Sequence, residues 1–295
     1  MRIKDILSTT KPACSFEFFP PKTDPLRDEL LEAIDDLLPL QPAYVSVTYG
    51  AGGSTSDRTF DLVLRVRKKT GLPVISHLTC VGSGRDDIHD LLSRYADNGI
   101  HDILALRGDP PRDHDQPVVG DFPQAADLVA FIKKEFPTMC VGVAGFPEGH
   151  PETPNRLREM DFLKQKIDAG ADYIITQLFF DNRDFFDFCH RCELAGIKVP
   201  VIAGILPITN KSGMIRMADL AAGARIPAKL LKQVQQCDTD VEVQKVGVRW
   251  AAEQVRDLVA NGADGVHLYT LNSATAVREI FDVLGLENSK QLRKE

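Results

Sequence analysis

The 295-residue sequence has no apolar stretch approaching the roughly 20 residues that a membrane-spanning helix needs. Its first five residues, Met-Arg-Ile-Lys-Asp, lack the apolar core of a signal peptide. The six cysteines are scattered through apolar or helical segments and form no disulfide framework. We therefore expect reduced thiols and a cytoplasmic protein that does not bind a membrane.

The sequence also lacks a cluster of basic residues. With 35 Lys and Arg against 42 Asp and Glu, the net charge is −7, which argues against a nucleic-acid-binding surface. Metal-ligand patterns are missing as well. His77 and His150 have no third ligand at a recognisable spacing, and Cys189 and Cys192 have no second cysteine pair. No metal site is expected.

What the sequence does contain is a regular alternation of strand and helix patterns. Short apolar runs that end at Gly, Pro or polar residues alternate with segments of helical spacing. Extra helical segments fall between residues 212 and 260, before the last strand. The predicted strands are 13–19, 44–48, 74–79, 103–106, 140–144, 173–178, 199–206 and 265–269.

Eight strand–helix units in this length favour a single α/β domain, a closed (β/α)₈ TIM barrel over residues 1–286. The polar segment 287–295 is expected to be a frayed tail. The competing fold is an open Rossmann sheet, which should show Gly-x-Gly-x-x-Gly after its first strand. The two glycine-rich stretches, at 50–55 and 82–87, both lack the third glycine.

The stretch 103–111, Ile-Leu-Ala-Leu-Arg-Gly-Asp-Pro-Pro, shows how a strand of this chain ends. Four apolar residues indicate a buried strand, and the two prolines cannot continue it because they have no amide hydrogen. Arg107 and Asp109 therefore lie at the carboxyl end of a strand, the edge at which parallel α/β folds bind ligands. The alternative is a solvated turn in which these two side chains pair with each other.

Polar residues follow nearly every predicted strand, which predicts an active site at the carboxyl end of the barrel. They are Glu17, Thr48, Tyr49, His77, Thr79, Arg107, Asp109, His150, Gln177, Asn210, Tyr269 and Thr270.

Glu17 is the strongest single candidate. Strand alternation places it on the face opposite Phe16 and Phe18, inside the barrel. Loss of solvation there would raise its pKa and let it act as a proton donor near neutrality. The alternative is a structural Glu held by a Lys or Arg across the barrel. Asp109 follows a glycine and could therefore approach a ligand closely.

Eight segments, in their order along the chain, closely resemble the methylenetetrahydrofolate reductase family over roughly residues 13–285. They include Phe-Glu-Phe-Phe-Pro-Pro at 16–21, Val-Thr-Tyr-Gly-Ala at 47–51, and His-Leu-Thr-Cys at 77–80. Leu-Arg-Gly-Asp at 106–109 and Pro-Glu-Gly-His-Pro at 147–151 follow. Thr-Gln-Leu-Phe-Phe-Asp at 176–181, Gly-Ile-Leu-Pro-Ile at 204–208, and His-Leu-Tyr-Thr-Leu-Asn at 267–272 complete the set.

The resemblance implies a (β/α)₈ barrel that holds FAD at its carboxyl face. It implies reduction of 5,10-methylenetetrahydrofolate to 5-methyltetrahydrofolate, with NADH or NADPH as the electron donor, in one-carbon and methionine metabolism. Glu17 matches the general acid, and Asp109 matches a carboxylate that touches the pterin and tunes the flavin. The implied substrate contacts are Gln177, Asp109, Met217 and Tyr269. The implied flavin contacts are Thr48, Tyr49, Ala51, His77, Arg107, Gly108, Asp109, Phe146, His150 and Lys166.

Four positions depart from the family pattern or are ambiguous. Phe146 and Met217 stand where members often have Tyr and Phe, and Ser273 replaces an Arg that helps to hold the folate. The carboxylate expected near residue 160 could be Glu159 or Asp161. We also expect a homo-oligomer. The length leaves no room for the regulatory domain of larger relatives, so feedback by S-adenosylmethionine is not expected.

Two alternatives of other classes stay open. One is a flavin-free pterin-binding barrel, such as a methyltransferase that passes a methyl group from folate to a corrinoid. The other is a non-catalytic folate-binding subunit, which would not need both Glu17 and Asp109. The colour of the purified protein distinguishes the first alternative from a flavoenzyme.

Overall fold

Eight parallel strands pair in chain order and close into a barrel, which confirms the predicted (β/α)₈ fold. The computed structural model describes residues 1–49, 56–109, 120–150, 152–153, 155–221 and 224–293. The strands are β1 Ala13–Phe18, β2 Tyr44–Val47, β3 Val74–Thr79, β4 Asp102–Leu106, β5 Cys140–Gly145, β6 Tyr173–Thr176, β7 Val201–Ile205 and β8 Gly265–Tyr269.

The helices surround the barrel, and α8 to α10 form the predicted extra layer before β8. In the described segments no helix is both long and apolar enough to cross a membrane. The helices are α1 Ile3–Thr9, α2 Asp24–Leu37, α3 Ser56–Thr70, α4 Arg85–Asp97, α5 Ala125–Glu135, α6 Arg156–Asp168, α7 Asn182–Leu194, α8 Lys211–Leu220, α9 Ala228–Gln235, α10 Asp240–Ala260 and α11 Thr275–Leu284.

Strand alternation decides what faces the helices and what faces the barrel interior. In β1, Phe16 and Phe18 belong to the large apolar core between the barrel and its helices. The intervening residues Ser15 and Glu17 face inward, where both contact groups from β8. The two faces of one strand therefore serve packing and chemistry separately.

Helix α1 closes the amino-terminal end of the barrel. Ile3, Ile6 and Leu7 are buried against inward-facing apolar residues of the strands, such as Ile75 and Ile202. Burial of each such side chain contributes roughly 1.5–3 kcal/mol. Because this end is filled with apolar side chains, a polar ligand enters the barrel from the carboxyl end.

The described part of the carboxyl-terminal segment packs against the barrel. Ser289–Leu292 form a 3₁₀ helix capped by the side chain of Asn288. Leu292 is buried in the main core, and the Ser289 hydroxyl donates a hydrogen bond to the carbonyl of Gln41. Leu292 gives this polar segment one apolar contact with the core, and fraying of the tail stays a prediction.

Gly247 of α10 offers a test of the packing between the extra helices and the barrel. A Cβ added at this position would lie 1.9 Å from the carbonyl oxygen of Ile208, which follows β7. We expect Gly247→Ala to lower the free energy of unfolding by ~1–3 kcal/mol or more, as overpacking does. An alanine at an exposed helical position would instead stabilise by ~1 kcal/mol.

Urea unfolding followed by circular dichroism measures this effect. Lys245→Ala, at an exposed position of the same helix, is the control and should change stability by less than ~0.5 kcal/mol. A stabilised Gly247→Ala variant would contradict the packing described here.

Candidate active site

The Glu17 carboxyl lies at the centre of a buried polar group at the carboxyl end of the barrel. Its Oε2 is 3.1 Å from Nε2 of His267 on β8 and 3.4 Å from Nε2 of His77 on β3. The His267 side chain is fully buried, and 7% of the His77 side chain is exposed. The structure thus brings together two residues predicted from the sequence and one, His267, to which the sequence analysis assigned no role.

A chain of hydrogen bonds extends from Glu17 through His267. The Ser15 Oγ lies 2.7 Å from His267 Nδ1, and the Ser46 Oγ lies 3.4 Å from Nε2. If the Ser15 hydroxyl donates to Nδ1, the ring carries its proton on Nε2 and donates it to Glu17. Ser15 and His267 precede Glu17 and Tyr269 by two residues, so same-face spacing was the signal that could have found them.

The partners of Glu17 reverse the expected direction of its pKa. Burial of the carboxyl raises the pKa, but the hydrogen bond from His267 and the imidazoles of His77 and His267 together lower it below the ordinary value. The direction is opposite to the one expected from burial alone, and protonation of Glu17 stays a prediction. Within the described part of the chain, the carboxyl contacts two histidines and no Lys or Arg, so the alternative of a Lys or Arg partner is wrong.

His77 is held neutral at physiological pH. Burial lowers its pKa to about 4, against the opposing effect of the Glu17 charge. Its Nε2 has no hydrogen-bond partner among the described residues. A buried ring nitrogen without a partner is uncommon and indicates a place for a ligand or an ordered water.

Tyr269 crosses the barrel and joins β8 to β6. Its hydroxyl donates to the Thr176 carbonyl at 2.9 Å, and a Cβ at Gly204 would lie 2.7 Å from the tyrosine oxygen. Tyr269 and Met217 pack in one apolar cluster with the extra helices. Gln177 follows Thr176 directly, and its Oε1 accepts from the Leu178 amide at 2.9 Å. Tyr269 and Met217 therefore pack against the same cluster, and Gln177 follows the strand end that Tyr269 contacts.

A second group of predicted contacts lies at the ends of β5 and α6. Lys166 donates to the Ala144 carbonyl at 2.8 Å, and burial lowers its pKa to about 8 against the favourable charge of Glu159. Glu159 is buried, and its Oε2 has no hydrogen-bond partner in the described segments. Asp161 is exposed, so the structure selects Glu159 as the carboxylate of this region.

His150 packs edge-to-face on Phe146, with ring centroids 4.7 Å apart. Its Nδ1 accepts from the Glu152 amide at 3.2 Å, and burial lowers its pKa. Since this loop follows β5, it places an imidazole beside the region that contains Lys166. Phe146 contacts His150 through its ring and, as a phenylalanine, has no hydroxyl to offer a ligand.

The end of β4 departs from the solvated-turn alternative in one respect, the partner of Arg107. Arg107 Nη2 pairs with Glu152 at 2.8 Å, not with Asp109, which is exposed. Gly108 has φ +83°, and a Cβ there would lie 2.9 Å from the Thr79 Cβ, so only glycine fits. Asp109 is thus exposed to solvent at the strand end and follows a residue that carries no side chain.

The remaining predicted contacts lie at the end of β2. The Thr48 amide donates to the Phe18 carbonyl at 2.8 Å, which ties this end of β2 to β1. Tyr49 is partly buried against the main core, on the helix side. Ala51 lies outside the described residues.

The cysteines are not arranged for chemistry. Burial raises the pKa of both Cys189 and Cys192 to about 12, so neither thiol is reactive near neutrality. Across the described ranges, no group of three His, Cys, Asp or Glu side chains is placed to hold a metal ion.

Lys166 gives a stability test with a definite pH dependence. Because its folded pKa of about 8 lies below the ordinary value of 10.5, burial of the charge destabilises the fold fully below pH 8. Between pH 8 and 10.5 the unfolded chain binds more protons, so this penalty disappears as the pH rises. Lys166→Met should therefore raise the free energy of unfolding by roughly 1–3 kcal/mol at pH 7, with a smaller gain at pH 10.

Thermal and urea unfolding at both pH values measure the gain. Lys134→Met removes a lysine that is 81% exposed and is the matched control. The same pH dependence in both variants would contradict a buried ammonium at position 166.

Comparisons with known proteins agree with this geometry. A family model described as methylenetetrahydrofolate reductase matches residues 2–285. A 5,10-methylenetetrahydrofolate reductase of Salmonella typhimurium is 40% identical over 273 residues, which cover 92% of this chain and 90% of the relative. Methylenetetrahydrofolate reductase (NADH) 1 of Arabidopsis thaliana is 37% identical over 306 residues, 99% of this chain and 52% of the relative.

The chain spans about half the length of the plant relatives and nearly all of the bacterial one. Among solved structures, a Clostridium thermocellum protein described as binding two copies of 5-methyl-5,6,7,8-tetrahydrofolic acid superposes with a TM-score of 0.68 at 17% identity, over 96% of this chain and 97% of that one. That likeness shows the same fold. The match to the family model and the 40% identity over both chains show more: the chain belongs to the methylenetetrahydrofolate reductase family.

Proposed function

We propose that this chain catalyses the flavin-dependent reduction of 5,10-methylenetetrahydrofolate to 5-methyltetrahydrofolate. The observation that carries the proposal is the buried group of Ser15, Glu17, His77 and His267 at the open end of the barrel. Family membership supports the substrate, since the relatives are named for this reduction. The Arabidopsis relative is named for NADH, so we propose a reduced nicotinamide, NADH in the first place, as the electron donor.

The residues present fit FAD. Glu159 Oε2 and His77 Nε2 are buried without hydrogen-bond partners in the described part of the chain, and hydroxyls or ring atoms of a ligand could satisfy them. Lys166 and Arg107 supply positive charge for phosphates. Thr48, Gly108 and His150 would complete the contacts. The flavin, when bound, supplies the two-electron transfer between nicotinamide and folate.

Glu17 is the group that would protonate the folate nitrogen so that the one-carbon bridge opens. The hydrogen bond with His267 Nε2 at 3.1 Å lowers the pKa of this carboxyl against the opposing effect of burial. When a pterin ring covers the site and excludes water, the charged carboxylate loses solvation and its pKa rises. The hydrogen bond between Ser15 Oγ and His267 Nδ1 would keep the imidazole oriented through this change.

The other contacts would orient the substrate. Asp109 offers a carboxylate to the N–H groups of the pterin, and Gln177 offers an amide. A negative charge beside a flavin disfavours the uptake of further negative charge, so Asp109 would lower the reduction potential and make hydride donation to folate easier. Tyr269 and Met217, which pack against one apolar cluster, would add apolar contacts to the substrate. The homo-oligomer and the cytoplasmic location stay predictions.

The cofactor is tested by absorbance of the purified protein. We expect a yellow protein with non-covalent FAD that bleaches when NADH or NADPH is added without oxygen. A parallel sample without nicotinamide is the control. A colourless protein that takes up no added FAD would favour the flavin-free pterin-binding barrel instead.

Glu17→Gln keeps the shape of the side chain and removes its acid. Flavin reduction by the nicotinamide should stay nearly unchanged, because no folate proton takes part in it. Folate reduction should fall by ~10² or more, the usual scale for loss of a general acid. Stopped-flow absorbance measures both half-reactions, with the exposed Glu253→Gln as control. Equal losses in both half-reactions would assign Glu17 a structural role.

A further inference from the structure

The pairing of β8 with β1 continues beyond the strand ends through the side chain of Asn272. Its Nδ2 donates to the Phe19 carbonyl and its Oδ1 accepts from the Phe19 amide, both at 2.9 Å. One side-chain amide therefore replaces a full pair of ladder hydrogen bonds. β1 ends at Phe18, so this contact holds the first residue after the strand.

Thr270 completes the contact from the same turn. Its hydroxyl donates to the Glu17 carbonyl at 2.6 Å and accepts from the Asn272 amide at 3.0 Å. The backbone on both sides of Phe18 is thus held by the segment 270–272, which we name the β8 clamp. Glu17 and Tyr269 are the last register pair between β1 and β8, and on the other side β2 pairs with β1 as far as Phe18. Phe19 is therefore the first residue beyond both ladders, and the β8 clamp is the contact that holds it.

The backbone of the β8 clamp adopts a conformation that the sequence does not favour. Leu271 and Asn272 have φ values of +50° and +60°, in the left-handed region. Asn tolerates this region, whereas a bulky Leu seldom occupies it. Among the described residues only Gln41 is another non-glycine with positive φ, and it precedes β2 at the opposite end of the barrel. Unfavourable backbone of this kind concentrates at functional sites.

We propose that Asn272 is a positioning residue for Glu17: through the backbone of Phe19 it sets where the Glu17 carboxyl meets His267. The catalytic part of this inference rests on the function proposed above. Glu17 lies only two residues before Phe19, so a shift of Phe19 moves the carboxyl relative to an imidazole that β8 holds separately. The hydrogen bond of 3.1 Å between Glu17 and His267 is the distance that such a shift would lengthen.

Two substitutions separate the side-chain contact from the backbone conformation. Asn272→Gly keeps the left-handed conformation and removes both hydrogen bonds to Phe19. Asn272→Asp keeps an acceptor for the Phe19 amide but places a second oxygen against the Phe19 carbonyl, so it should behave like the glycine variant. Gln41→Gly is the control, since it also places glycine at a non-glycine position of positive φ, but at the opposite end of the barrel.

The first readout does not depend on activity. The Glu17 carboxyl titration is followed by ¹³C NMR and assigned by its loss in Glu17→Gln. We expect its midpoint to rise by roughly half a pH unit or more in both Asn272 variants, because a lengthened hydrogen bond from His267 stabilises the carboxylate less. Gln41→Gly should match the unmodified chain. An unmoved midpoint in Asn272→Gly overturns the proposal.

The second readout uses the two half-reactions. Asn272→Gly should slow folate reduction ~10-fold, leave flavin reduction unchanged, and cause no further loss when combined with Glu17→Gln. Equal slowing of both half-reactions, or a full additional loss in the double variant, overturns the positioning role. If the unmodified chain reduces no folate, the proposed function fails, while the carboxyl titration still decides the role of Asn272.

Discussion

The hydrogen bond between His267 Nε2 and Glu17 Oε2 is the contact on which the proposed chemistry of this barrel depends. A carboxylate inside a barrel is stable only with partners that replace its lost solvation. Here those partners come from β3 and β8, and Ser15 in turn orients the imidazole. The interior supports this arrangement because its other end is apolar and closed by α1, so the polar groups concentrate at the level where ligands enter.

The strand pair that closes the barrel, β1 with β8, also brings together Glu17 and His267. Glu17 and His267 are 250 residues apart in sequence and meet because β8 pairs with β1. The β8 clamp extends that pairing over the loop that follows Glu17. Folding stability and the geometry of the site are coupled through one strand pair.

Several features of the site are unfavourable for the fold alone. Lys166 is partly buried with one carbonyl as its hydrogen-bond acceptor, and buried atoms of Glu159 and His77 have no partners among the described residues. A sequence optimised only for stability would replace such groups with apolar side chains. Their presence at the carboxyl end, beside Gly108 and the Arg107 ion pair, is consistent with a surface shaped for a charged, ring-containing ligand.

The sequence by itself determined the strand–helix order and the face on which the candidate residues lie. Period-two alternation placed Glu17 inward, and prolines or glycines marked where the strands end. Because the strands are parallel, their polar carboxyl ends lie at one edge of the barrel. Only the tertiary structure decided which groups meet across that edge. It gave Glu17 two histidine partners that lower its pKa, paired Arg107 with Glu152, selected Glu159 over Asp161 and docked Leu292. These outcomes depend on the closure and stagger of the barrel, and local patterns carry no information about distances between residues far apart in the chain.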